Sequence, residues 1–388
     1  MSFLIIIIII IFIYSIFCLI SKISTVYVEP RDLPMIRLSS EPYKPLILPL
    51  KWSKYEGAYT LSMTLGSSIM TLVVDSGSAH CSVQGESCIY RKCNRLKQCK
   101  DIKCPCGEIV CPFYKADKSK LIRHSWLQRI LIYGSQENEV KHYVDTIKLG
   151  SKQSEPCVIY VIDKIKGDTT SSILGLALLH KTKSSSISYT FLDAYWKNNS
   201  SSKSWTIWFE NKKARITFDP IDIEPMTHIP LVPLSDHRLS LLSRVGVNFY
   251  MTELIAIGLS YNDDERWWSI DESIDHIAYQ EKTHFPRFCL WDTGTLLTMS
   301  CNQVGNILSK ELNYNPSRDR FHLLFKNYTR LSWEPNEISN ALYISDSSLS
   351  GFNESFQGIN ILLIGLQQMR SQNSIYSFDL DHNIMSIS

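Results

Sequence analysis

Short runs of β-branched and aromatic residues, separated by Gly, Asn, Asp and Ser, recur along most of the chain. This pattern predicts strands over Tyr59 to Val74, Cys157 to Ile162, Trp205 to Phe209, Arg215 to Phe218 and Phe249 to Ile257. Helical periodicity is confined to brief stretches, such as Gln303 to Leu312. The pattern is that of an all-β protein. At 388 residues the chain exceeds what one hydrophobic core supports, so two lobes are expected, at 49–225 and 226–388.

The N-terminus follows a different rule. Phe3 to Ile20 is nearly continuous hydrocarbon, broken only by Tyr14 and Ser15, with Lys22 just beyond. Residues 1–24 read as a cleaved signal peptide, although a long one without a basic start. An uncleaved anchor is the other reading, since the run approaches the roughly 18 apolar residues of a membrane span. Residues 25–48 form a short N-terminal segment. Either reading places the rest of the chain in the secretory pathway: the ER lumen, a vesicle or the exterior. Membrane contact is expected only if the segment stays uncleaved. Asn198, Asn199, Asn327 and Asn353 begin Asn-x-Ser/Thr sequons, which fits a glycoprotein.

Composition narrows the partners. The 40 basic and 38 acidic residues leave a net charge of +2, so no nucleic-acid partner is expected. Seven of the eleven cysteines crowd into one basic tract: Cys81, Cys88, Cys93, Cys99, Cys104, Cys106 and Cys111. Cys157, Cys289 and Cys301 are scattered, and Cys18 lies in the leader. The competing reading of the tract is a zinc site, but the Cys-x2-Cys spacing is not repeated, and no metal is expected. In a secreted chain disulfides are the default. The insert 81–111 is expected to be stapled internally, with its odd cysteine reaching Cys157 and Cys289 pairing with Cys301.

The chemistry lies in two tracts, Leu72-Val73-Val74-Asp75-Ser76-Gly77-Ser78 and Leu290-Trp291-Asp292-Thr293-Gly294-Thr295. Each is an apolar strand end running into Asp, a hydroxyl residue, Gly and another hydroxyl residue. One such turn is ordinary. Two, one in each half of the chain, read as one site built from two halves. Two carboxylates held close together share one proton. The charged one can then deprotonate a water while the protonated one donates to a carbonyl. Gly77 and Gly294 allow the chain to pass close beside the carboxylates. Ser76 and Thr293 can tie the two loops together, and Ser78 and Thr295 can hydrogen-bond the carboxylates. A serine nucleophile served by His80 is the weaker alternative, because neighbours in one turn rarely align as nucleophile and base.

Around these motifs the chain resembles the pepsin-like aspartic proteases. Tyr133-Gly134-Ser135, followed by Asp145-Thr146-Ile147-Lys148-Leu149-Gly150, resembles that family's flap and the strand after it. Ile173-Leu174-Gly175 and Leu363-Ile364-Gly365 resemble its paired strands behind the catalytic loops. The resemblance covers roughly residues 45 to 388. It implies a bilobal pepsin-like double β-barrel with a catalytic cleft between the lobes. Asp75 and Asp292 would be catalytic, Tyr133, Gly134 and Ser135 would meet a polypeptide substrate, and the enzyme would be a monomer without a cofactor. The Cys-rich insert and Ser82, where Trp is usual, resemble the plasmepsin V and nepenthesin branch.

Several positions depart from the family pattern. Leu366 stands where Asp commonly follows the Gly, Trp291 is bulky, and the flap lacks added glycines. Gln136-Glu137-Asn138-Glu139 reads as an acidic hairpin tip that would favour basic substrates, or else simply keeps the hairpin soluble. A catalytically silent protein with this fold, acting by binding or inhibition, is the alternative function.

Overall fold

The computed structural model describes residues 45–54, 56–86, 113–122, 130–133, 136–166, 172–179, 187–200, 202–210, 213–221, 226–233, 247–262, 264–269, 278–279, 287–296, 298–300, 315, 318–334, 342–343, 361–370 and 374–388. The leader, most of the Cys-rich insert, Gly134, Ser135, Cys301, Asn353 and the expected helix Gln303–Leu312 lie outside them. The described residues belong to one compact unit, Pro45–Ser388.

The fold is all-β, and the described residues form two large sheets of 16 and 9 strands. The predicted run from Tyr59 to Val74 is two antiparallel strands, Ala58–Leu65 and Ser68–Asp75. Gly66, at φ +56°, turns the chain between them. A side chain there would collide with Asp145, whose carboxylate is held by Tyr114 Oη and Lys120 Nζ, each at 2.8 Å.

Each Asp motif ends a buried strand that has a parallel partner. Ile173–Gly175 pairs with Ser68–Asp75, setting Gly175 opposite Asp75. Ile361–Ile364 pairs with Phe288–Trp291, setting Ile364 opposite Trp291. Parallel strands covered on both faces need continuous apolar side chains, and Val73, Val74, Leu174, Leu290, Leu362 and Leu363 meet that need. The same arrangement thus occurs twice, as the repeated apolar-apolar-Gly pattern anticipates.

The 16-strand sheet draws on both ends of the chain. Ser204–Glu210 pairs with Ile375–Asp379, which pairs with Ile384–Ile387. In the core beside this seam Trp205 stacks on Phe378, with ring centroids 4.3 Å apart. Arg370 lies over the Trp52 ring at 4.5 Å, which gives it a structural place.

A helix at Phe191–Asn199 has no counterpart in the strand reading. Thr190 caps it by accepting from the Asp193 N–H, and Phe191, Leu192, Tyr195 and Trp196 face the core. Tyr195 reaches fully buried Asp219, which also pairs with Lys152 at 2.8 Å. Among the described residues, no helix is long and apolar enough to cross a membrane.

Three cysteines expected in disulfides are instead buried free thiols: Cys81, Cys157 and Cys289. Cys157 is therefore not joined to the insert, nor Cys289 to Cys301. The reason is local. Each sits in a strand with its side chain in the hydrophobic core, packed among apolar neighbours. Burial pushes the Cys157 thiol up to about 12, and it raises Cys81 and Cys289 as well.

Candidate active site

The parallel strands carry Asp75 and Asp292 to a common point, although they lie in opposite halves of the chain. Both are buried. Their loops are locked together by four reciprocal hydrogen bonds. The Ser76 N–H donates to Thr293 Oγ1 at 3.0 Å and the Thr293 N–H donates to Ser76 Oγ at 2.9 Å. The Ser76 hydroxyl donates to the Trp291 carbonyl at 2.7 Å, and the Thr293 hydroxyl to the Val74 carbonyl at 2.9 Å. No water can compete for these groups, because both hydroxyl residues are buried.

The glycines face the opposite carboxylates. A Cβ on Gly77 would stand 2.6 Å from the Asp292 carboxylate, and one on Gly294 would overlap Asp75. Neither glycine has a positive φ. Close approach of the two loops therefore requires them, not an unusual backbone conformation. Each glycine N–H also donates to the preceding Asp at 2.8 Å.

Thr295 donates its hydroxyl to Asp292 at 2.7 Å. Ser78, its counterpart, lies beside Asp75 and favours its charged form. Asp75 is held well above the usual carboxylate range, first by burial and then by the neighbouring charge and hydrogen bond of Asp292.

Trp291 fits without disturbing the loop. Its indole N–H donates to Thr252 Oγ1 at 3.1 Å, and its ring lies in the core near Tyr376. The Leu366 N–H donates to the Thr295 carbonyl at 2.8 Å, and its buried side chain packs in the core.

The hairpin differs from the expectation. Tyr133 pairs with Gln136, so the chain reverses between them and Gln136 to Glu139 lie within the strand Gln136–Asp145. They are not an acidic tip. Glu139 forms an ion pair with Lys164 of the adjacent strand, and Glu137 stands opposite Lys166 in register. These acidic residues are matched by basic ones on the neighbouring strand, which removes the argument for a basic substrate preference. In the second sheet Trp268 is buried, and Trp267 stacks on His322 beneath Arg330.

The sequence offered His80 only as a weak base for a serine nucleophile, read His142 as a surface or loop residue, and gave Tyr160 no role beyond its strand. All three are buried and in ring contact. The alternation along Cys157–Lys166 could have placed Tyr160 away from the main core, but no local signal pairs it with either histidine.

The chain matches no protein-family profile and no curated protein. It is similar in structure to the aspartic proteinase from Irpex lacteus, with a TM-score of 0.57 at 16% sequence identity. That likeness covers 89% of this chain and 97% of the other. It shows the fold: an all-β, bilobal, pepsin-like architecture.

Proposed function

We propose that the protein is an aspartic endopeptidase that hydrolyses peptide bonds with a water held between Asp75 and Asp292. The observation that carries this reading is the buried carboxylate pair, with Asp75 raised and the Ser76–Thr293 bonds fixing both loops. A structural ion-pair role would not bring two like charges together in a dry site. Their apposition stabilises fold poorly and serves proton transfer well.

The steps follow from the asymmetry. Asp292, held by the Gly294 N–H and the Thr295 hydroxyl, accepts a proton from the water. The oxygen attacks the scissile carbonyl carbon as Asp75 gives its proton to the carbonyl oxygen. The tetrahedral diol then collapses: its hydroxyl returns a proton to Asp75, and Asp292 passes its proton to the leaving amine. No covalent enzyme intermediate forms. The substrate would be an extended polypeptide, and the apolar leader and sequons support work in the secretory pathway.

The test is turnover of a mixed peptide library by the full chain and by its Asp75→Ala and Asp292→Ala variants. Each substitution should reduce cleavage below about 1% of wild type, since one carboxylate cannot serve as both base and acid. Equal product from wild type and both variants would leave a binding protein with this fold.

A further inference from the structure

We propose that His80, Tyr160 and His142 form a positioning stack that couples the flap strand to the Asp75 loop. The inference rests on the endopeptidase reading above. It begins with the sheet order, in which Cys81–Gln84, Cys157–Lys166 and Gln136–Asp145 are neighbours. Tyr160 is in register with Ser82 on one side and His142 on the other, so the three share one face. Ser82 is fully buried. The His80 ring lies edge-on to Tyr160 with centroids 4.4 Å apart. His142 meets the same Tyr160 ring from the flap strand at 5.0 Å, almost perpendicular.

Both ends of the stack are tied to functional segments. The His80 carbonyl accepts from the Gly175 N–H at 3.2 Å, and a Cβ on Gly175 would meet the His80 nitrogen at 2.6 Å. Gly175 is aligned with Asp75, and the next N–H, of Leu176, donates to the Asp75 carbonyl at 2.8 Å. His80 therefore cannot shift without moving the backbone that fixes Asp75. At the other end, His142 belongs to the strand that pairs through Gln136 with Tyr133. Edge-on aromatic contacts hold orientation as well as distance. The stack thus transmits the position of the flap strand to the dyad loop.

The His80 imidazole is neutral in this packing at neutral pH. Burial, and then the charge of His142, push His80 down to about 4. The ionisable groups that face the stack are His142 on the flap strand, Tyr160 on the central strand and Tyr189 from the segment before the helix. Acidification below about 4 puts a positive charge on His80 within the stack and uncouples it.

The experiment uses the full chain with Tyr160→Leu, Tyr160→Phe and His80→Phe, comparing kcat, KM, pH profile and hydrogen exchange of the 130–145 amides. Tyr160→Leu should lower kcat/KM by about tenfold or more, and Tyr160→Phe should restore it to within about twofold. In Tyr160→Leu the 130–145 amides should exchange faster, while those of Phe288–Trp291 do not change. His80→Phe, which keeps a ring but cannot be charged, should move the acid limb of the profile to lower pH. A folded Tyr160→Leu protein with wild-type kinetics and exchange overturns the proposal, as does an unmoved acid limb in His80→Phe if Tyr160→Leu does not fold. If wild type shows no cleavage that Asp292→Ala abolishes, the protease reading fails; hydrogen exchange then decides the coupling on its own.

Discussion

Ser76 and Thr293, 217 positions apart in sequence, each donate a backbone N–H to the other's hydroxyl oxygen. Thr293→Ala removes the acceptor for the Ser76 N–H and the donor for the Val74 carbonyl, leaving two buried backbone groups without partners. The expected loss of stability is about 2–4 kcal/mol. Thr293→Ser keeps both bonds and should cost only about 1 kcal/mol for the missing methyl. Urea unfolding of the two variants checks this, and an Ala variant as stable as the Ser variant would contradict it.

The glycine contacts predict a separation of activity from folding. Gly77→Ala places a methyl 2.6 Å from the Asp292 carboxylate. The backbone tolerates Ala because its φ is not positive. The methyl is accommodated by moving the carboxylate, and a shift of this kind should lower kcat about a hundredfold or more. Circular dichroism should match wild type. Retained activity would show that the loops have slack the geometry does not indicate.

His322 in the second sheet sets a pH dependence of stability. It is buried, and burial followed by the Arg330 charge pushes it down to about 4 from the ordinary 6.5. Between these values the unfolded chain takes up a proton that the folded protein refuses. The stability contributed by neutral His322 is complete above pH 6.5 and is lost as pH falls toward 4. The full difference is about 3 kcal/mol, so His322→Asn should flatten the stability curve between pH 7 and pH 4 by that order. Asp75 acts with the opposite sign. Its raised value gives a contribution present at low pH and lost as pH rises through the folded pKa, so Asp75→Asn should leave stability more favoured toward neutral pH. Chemical denaturation across this range measures both slopes.

The free thiols make a chemical prediction. Cys81, Cys157 and Cys289 are buried, and each thiol is raised by burial. They should resist alkylation at pH 8 in the folded protein and react fully once it is denatured without reductant. Mass spectrometry of the labelled digest reads the outcome. Recovery of any of the three in a disulfide would restore the stapling expected from the cysteine count.

The sequence by itself determined the strand content and the two Asp motifs, because both are written in local patterns. Alternation and β-branching select extended backbone wherever they occur, and Asp-Ser-Gly-Ser and Asp-Thr-Gly-Thr can be read without knowing what faces them. The repeat of apolar-apolar-Gly likewise marked a strand behind each motif, while its parallel pairing at Gly175 and Ile364 is seen only in the structure. What depends on a residue's distant neighbour was decided only by the tertiary structure. The two Asp motifs look equivalent in sequence, yet Thr295 donates to Asp292 at 2.7 Å while burial and the neighbouring Asp292 raise Asp75. Cysteine spacing suggested bridges that burial in the core replaced with free thiols. The acidic residues after Tyr133 took their meaning from Lys164 across the sheet, a contact set by strand register. His80, Tyr160 and His142 come together because three strands from separate parts of the chain are neighbours, and nothing local to any one of them specifies the other two.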